Sequence, residues 1–366
     1  MNIVHIDRQR GWTGQTNRTL QVVMGLKASG WQADLIAHQG GALAERATAA
    51  GIDVHEMPLY GTAMYASIVP LAKLLRLKRV DVLHCHGARD HLLSVLVKRA
   101  GSVRHLVRTR HNYMHLRSGA LSRLVFRPCS AVVTVSDYVK RLSLEDRIDE
   151  RKLRTIHDAV DVERFQPRRR SRTLAAELGI QASEVVIGHV SSLADSKGVD
   201  TLLKAMKRLF HRNADYRLRC VLLGSGHERW KALVDELCIS DRVSFAGHRS
   251  DVHAVLPHFD IFVMVSRQEA FGTAVIEAMS AGVPVIGSNV GGMPESITPD
   301  CGLIVPPDDV DALTSAIQAL LDDPTRRETM GKAGRLRAVE HFSTTALVEQ
   351  TKQLYCELRD GSIPRM

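Results

Sequence analysis

Aromatic residues are scarce. Phe, Tyr and Trp make up 5% of the 366 residues, and no aromatic platform of the kind that stacks single-stranded nucleic acid can be found among them. No apolar run reaches the length of a membrane-spanning helix. The six cysteines (Cys85, Cys129, Cys220, Cys238, Cys301, Cys356) are scattered, without a Cys-x-x-Cys pair or a histidine at zinc-finger spacing. Neither a disulfide framework nor a structural metal is expected from that pattern, and the six are read as reduced core thiols. The opening MNIVHIDRQR turns polar after one short strand, so no signal peptide is expected and a cytoplasmic protein is. No repeat or low-complexity tract occurs.

What is present is apolar content and an uneven charge. Hydrophobic residues form 45% of the chain, enough for a core in each of two ordinary domains. The net charge of +9 lies entirely in the first half: residues 1-165 hold 25 Lys and Arg against 15 Asp and Glu, and residues 166-366 hold 24 against 25. Between Pro70 and Arg127 there are 13 basic residues and only Asp81 and Asp90 to oppose them. Such a face attracts a polyanion, but no helix-turn-helix or zinc signature turns that into nucleic-acid binding.

Strand and helix patterns alternate along the chain, which argues for parallel sheets covered on both faces. Strands are predicted at 2-6, 32-37, 53-57, 81-84, 104-109 and 131-135, and again at 185-190, 217-223, 243-245, 260-265 and 284-287. One sheet of that length is improbable, and the polar FQPRRRSRT tract (165-173) is the best boundary. Two Rossmann-like doubly wound domains follow, 1-165 and 166-343, with ligands beyond the carboxyl ends of their strands.

The richest segment is SRQEAFGTAVIEAMSAGVP (266-284). Thr273 to Ala281 has good helix formers, and Gly282 and Pro284 stop it. Glu269 then lies in the loop before the helix and Glu277 inside it. The first amides of a helix lack internal partners, so Gly272, Thr273 and Ala274 are set to hold a phosphate. Carboxylates beside them suit sugar hydroxyls, a combination that fits a nucleotide sugar. Capping and dipole chemistry is the alternative reading of the two glutamates.

The segment continues into PVIGSNVGGMPESI, with a Gly291-Gly292 turn and Pro294-Glu295. Together these residues resemble the donor-binding motif of the retaining GT-B glycosyltransferases of family four, which include bacterial lipopolysaccharide, exopolysaccharide and mannoside transferases. The resemblance implies a GT-B fold, two Rossmann-like domains facing a central cleft, with the stretch 344-366 packing back on the first domain. It implies transfer of a sugar from a nucleotide-sugar donor to a saccharide or lipid-linked acceptor, with retention and with no metal or other cofactor.

Site roles follow by the same resemblance. In IGHVSSLADSKGVDTLL, Lys197 would neutralise the departing diphosphate; the arginine usual five residues earlier is Ser192 here, and one of two expected cations is missing. Glu269 would hold sugar hydroxyls, Glu277 the ribose, and His111 in RTRHNYM the sugar from the opposite domain. Gly11 and Gly14 open the first helix; a glycine turn without ligand is the alternative, and the family's glycine-rich loop favours Gly14 as donor-binding. Gly224 and Gly226, and His248 and Arg249 after Gly247, correspond to family segments near the base and ribose, although ordinary strand-helix turns would look the same. The usual Asn-Gly is Asp158-Ala159 here, altering either a turn or a ligand contact.

His84 and His86 in VLHCHG point the same way on a strand, but no third ligand is evident, so core or hydrogen-bonding roles are preferred to metal. Asp308, Asp309 and Asp311 precede an apolar-periodic helix and read as N-capping. PLAKLLRLKR (70-79) and YMHLRSGALSRLVFR (113-127) mix apolar and basic residues, the pattern of a basic amphipathic surface; contact with an anionic inner membrane leaflet and an anionic acceptor is one reading, leucines facing the core the other. Against a transferase stand an epimerase of the same architecture, a catalytically weak sugar-nucleotide-binding protein, and a hydrolase using Glu269 and Glu277, which would leave the glycine loops and Lys197 unexplained.

Overall fold

The computed structural model describes residues 1–116, 124–212 and 217–362. The chain forms two compact units, Met1–Ala159 with the chain from Thr344 onward, and Val160–Ser343.

In the first unit seven strands form one parallel sheet: β1 (Asn2–Asp7), β2 (Gln32–His38), β3 (Val54–Met57), β4 (Val82–Cys85), β5 (His105–Arg110), β6 (Ala131–Thr134) and β7 (Leu153–Thr155). Their order is β3-β2-β1-β4-β5-β6-β7. β1 pairs with both β2 and β4, in register Ile3↔Ala33 and Ile3↔Val82, so the winding reverses there. The second sheet holds β8 (Val185–Val190), β9 (Leu218–Leu223), β10 (Val243–Gly247), β11 (Ile261–Met264), β12 (Val285–Ser288) and β13 (Gly302–Val305), in order β10-β9-β8-β11-β12-β13. Its reversal lies between β9 and β11, on either side of β8. At such switch points the loops leaving neighbouring strands part and open a crevice at the carboxyl ends.

The inner strands are buried on both faces, as parallel sheets require, while the edge strands β3, β7, β10 and β13 are only partly buried. Two strands escape the sequence pattern. β7 has three residues, too few for an apolar period to show, and β13 is a four-residue edge strand that opens on glycine.

The units divide six residues before the expected boundary. Val160 donates to the Phe342 carbonyl at 2.8 Å and bridges Ser343, and Phe165 packs on the second core, which ties 160-165 to the second unit. The final helix, Thr344–Asp360, places Leu347, Leu354, Tyr355 and Leu358 in the first unit's core beside Leu26 and Leu35. A Cβ on Gly25 would lie 2.3 Å from Val348, so the helix Gly14–Ala28 approaches it closely only through that glycine.

Four cysteines are buried as expected, but Cys238 is exposed and Cys356 half-buried; all six are free thiols. Cys238 sits at φ 55° in the turn after the helix Glu228–Glu236, where the chain reverses at the surface. Among the described residues no helix is long and apolar enough to cross a membrane. In the helix Ile68–Leu77, Leu71 and Leu75 are fully buried, while Val69 and Leu77 are 75% and 78% exposed. Of the 113-127 segment, 117–123 lies outside the described residues; Phe126 is buried and Met114 exposed.

Candidate donor site

β11 ends at Met264, and the loop that follows enters the helix Thr273–Ser280 through Gly272 at φ 93°, a left-handed conformation costly for other residues. That turn receives no side-chain cap, and the amides of Gly272, Thr273 and Ala274 have no partner among the described residues. Unpaired N–H groups and the positive end of the dipole coincide there.

Glu269 does not stand alone. Its Oε2 accepts from Lys197 Nζ at 2.7 Å, and both side chains are largely buried. Its Oε1 accepts from the Ala270 amide at 3.1 Å. The two sequence-predicted groups, 72 residues apart, therefore form one ion pair. The reason lies in the loops: Lys197 precedes Gly198, whose φ of 65° lets it pass the Val265 carbonyl, where a Cβ would be only 2.0 Å away.

Arg267 fixes the two loops to each other. Its amide donates to the Ser196 carbonyl at 2.8 Å, and its guanidinium contacts the Asp195 carbonyl, both oxygens of Asp200 and Asp308. Gly291 supports the other side, since a Cβ there would lie 1.7 Å from the Glu269 carbonyl. Sequence reading assigned Arg267 no role and Gly291 no support of Glu269. A bulky cation next to Glu269 and a double glycine were visible signals, but their partners were not.

Glu277 is half-buried, and its carboxyl has no hydrogen-bond or ion-pair partner among the described residues. Desolvation pushes its pKa up to about 7, with Arg164 opposing. Such a group becomes an acceptor fully only when a donor or nearby positive charge arrives.

Behind Lys197, Gly224 at φ 141° would clash with the Ser191 carbonyl at 1.7 Å if it carried a Cβ, and Gly226 lies beside Ser192. His189 bridges the Val263 carbonyl at 2.8 Å and Ser191 Oγ at 2.7 Å; burial lowers its pKa to about 4, so it is a neutral strut. Leu193 follows at φ 51° and accepts from Trp230 Nε1 at 2.8 Å. Ser192 thus sits in a fixed loop without supplying a charge. Arg249 is held by both oxygens of Asp251 and by Glu177, and His248 is exposed. Asp309 caps the helix Val310–Asp322 through the Ala312 amide, and Asp308 serves Arg267.

In the first unit, Gly14 opens its helix behind a Thr13–Thr16 capping box. Asp158 pairs with buried Arg18 at 2.7 Å, so the change from Asn-Gly serves an internal ion pair. His84 and His86 are buried and hydrogen-bonded, and a third imidazole joins them. β1 brings His5 beside His84 and His86, and ring nitrogens of all three lie within 4.8 Å of one another. The third imidazole, invisible at 79 residues' separation, was supplied by the β1–β4 pairing that sets His5 opposite His84. These nitrogens are already engaged in hydrogen bonds to one another, Tyr355, Thr109 and His111. Arg18 and Arg108 add positive charge nearby, which disfavours a cation.

Two Rossmann-like units, one carrying a helix start with unpartnered amides beside a buried Lys-Glu pair, define a two-unit parallel α/β protein. Residues 171–337 match the family described as Glycosyl transferases group 1, and 12–164 match Glycosyltransferase Family 4. The chain belongs to the GT-B glycosyltransferases of family four. It is 28% identical over 319 residues to N-acetyl-alpha-D-glucosaminyl L-malate synthase of Bacillus anthracis, covering 84% of this chain and 82% of that one. It is 36% identical over 204 residues to a GDP-mannose-dependent monoacylated alpha-(1-6)-phosphatidylinositol monomannoside mannosyltransferase of Corynebacterium glutamicum, covering 52% of each. The chain spans about half the length of that and several other curated relatives it matches. The solved structure of Anabaena HepE in complex with UDP and glucose superposes with a TM-score of 0.83 at 19% identity, covering 97% and 99% of the two chains. The fold is shared at that distance.

Proposed function

We propose that this glycosyltransferase retains anomeric configuration without a metal, moving a hexosyl or related sugar from a nucleotide-sugar donor to an anionic saccharide or lipid-linked acceptor, in lipopolysaccharide or other cell-surface glycan synthesis. The observation that carries the donor half is the Lys197–Glu269 pair beside the unpartnered amides of Gly272, Thr273 and Ala274. A diphosphate entering there draws Lys197 and the amides, which frees a Glu269 oxygen for sugar hydroxyls. Glu277 takes the ribose, and His111 the transferred sugar. Gly14, Gly224 and Gly226 give the donor close backbone approach, and His248 and Arg249 flank the base. The acceptor hydroxyl attacks on the face of the departing diphosphate, whose oxygen takes its proton. Catalysis is then placement plus preorganised charge.

Thermal stabilisation by UDP, GDP and ADP, each added singly, tests donor binding, because a ligand of the native state alone raises the melting temperature by mass action. One nucleotide should shift it well above the others; no shift from any of them would overturn the donor assignment. Product anomer by NMR then tests retention. The Ser192 position favours one second reading, a binding protein with little turnover, which a stabilising nucleotide without any product from candidate acceptors would support.

Exposed Val69 and Leu77 among Lys73, Arg76, Lys78 and Arg79 support peripheral contact with the inner face of the cytoplasmic membrane. Sedimentation with anionic vesicles at low salt, lost as surface charge is screened, is expected; equal recovery with neutral vesicles would remove the membrane role.

A further inference from the structure

The first unit holds a continuous chain of hydrogen bonds through six side chains. Thr109 Oγ1 lies 2.6 Å from His84 Nε2, and His84 Nδ1 lies 2.6 Å from the Tyr355 hydroxyl. The same hydroxyl is 3.2 Å from His5 Nε2. His5 Nδ1 is 3.0 Å from His86 Nε2, and His86 Nδ1 is 3.2 Å from His111 Nε2. All but His111 are buried, and His111 Nδ1 has no partner among the described residues. Burial, with Arg18 and Arg108 nearby, keeps the four imidazoles neutral.

A neutral imidazole has one N–H and one bare nitrogen, so each ring in the chain donates once and accepts once. The Tyr355 hydroxyl has one proton and no further partner among the described residues, so it too donates one way and accepts from the other. The whole chain must then point in a single direction. If it pointed inward from His111, the Thr109 proton would be left with no acceptor among the described residues, and a buried unsatisfied donor is costly. Pointing outward satisfies every buried member and leaves the one unpartnered N–H on half-buried His111.

We propose that Thr109 and Tyr355 are positioning residues that fix His111 in the tautomer bearing its proton on Nδ1, so that it presents a hydrogen-bond donor to an oxygen of the transferred sugar. This rests on the assignment of His111 to that sugar. Tyr355 reaches the chain from the far end of the sequence, which gives the final helix a part in the site beyond packing.

Long-range ¹⁵N–¹H spectra of histidine-labelled protein test it, with His111 assigned through His111→Gln. In the unmodified protein His111 should show protonated Nδ1 and bare Nε2. In Tyr355→Phe, which keeps the ring, and in Thr109→Val, which keeps the shape, the signature should become a tautomer mixture. Thr109→Ser should restore it. Both disruptive variants should lower kcat roughly tenfold, the worth of one well-placed hydrogen bond, with donor affinity unchanged. Protonated Nε2 on His111 in the unmodified protein would overturn the direction of the chain, and an unchanged kcat in both variants would overturn the positioning role. An active His111→Gln alongside the expected tautomer would instead overturn the assignment of His111 to the sugar.

Discussion

Replacing Gly291 by alanine probes the mechanical support of Glu269. Two costs add. At φ +57° an L-residue occupies left-handed space, at about 1–2 kcal/mol. Its Cβ would also lie 1.7 Å from the Glu269 carbonyl oxygen, where real Cβ contacts under 3.0 Å are essentially never seen. The neighbour is backbone, so relief requires a loop shift, and overpacking of that kind costs about 1–3 kcal/mol. The sum, about 2–5 kcal/mol, corresponds to roughly 5–15 °C in melting temperature for a unit of this size. Gly247→Ala is the matched control, because Gly247 has φ +64° with nothing within 4 Å and carries only the conformational cost. Calorimetry should show Gly291→Ala losing clearly more than Gly247→Ala. Titration should show donor affinity falling in step, since the displaced carbonyl belongs to the residue holding Lys197 at 2.7 Å. Equal melting temperatures would refute the overlap, and an intact affinity in a destabilised Gly291→Ala would refute the link to donor binding.

Three more outcomes are expected. His5, His84, His86, His91, His111 and His189 are all held neutral by burial, with folded pKa values below the unfolded one, so their stability is present above about pH 6.5 and lost as pH falls toward 4, at up to about 1.4 kcal/mol per pH unit for each; Asp90 and Glu277, both raised to about 7, oppose this in part. Urea midpoints should drop between pH 7 and 5, and a flat profile would show the imidazoles to be hydrated. Glu277→Gln should weaken donor binding without harming the fold, and, by removing the one contribution from Glu277 that is lost as pH rises from 4.5 through 7, should steepen the parent's gain in stability over that range; unchanged affinity by calorimetry would make Glu277 a structural residue. Lys197→Ala should abolish most turnover while EDTA leaves the parent enzyme unaffected; loss in EDTA with recovery in Mn²⁺ would point to metal-assisted transfer.

Much of the frame was legible because it depends on local pattern. Eleven of the thirteen strands lie in segments whose pattern reads as strand, and Gly272 with Gly282 and Pro284 bracket the helix around Glu277. β7 and β13 were not legible, β7 because it has only three residues and β13 because it is a short edge strand that opens on glycine. Nor was the division at Val160, which rests on pairing with Phe342 and Ser343 about 180 residues on and on Phe165 packing in the second core.

The sequence by itself determined the alternation of strand and helix, the glycines where the chain must turn left-handed, and the residue types able to meet a phosphorylated sugar. Tertiary structure alone decided which of those residues meet. Glu269 is neutralised by Lys197 because Gly198 lets one loop pass under another. His5, His84, His86 and Tyr355 join because parallel pairing and a docked final helix bring together residues up to 350 positions apart. Periodicity is a property of neighbouring residues and survives in the sequence. Proximity between distant ones is set by sheet order and close packing, which no local pattern encodes.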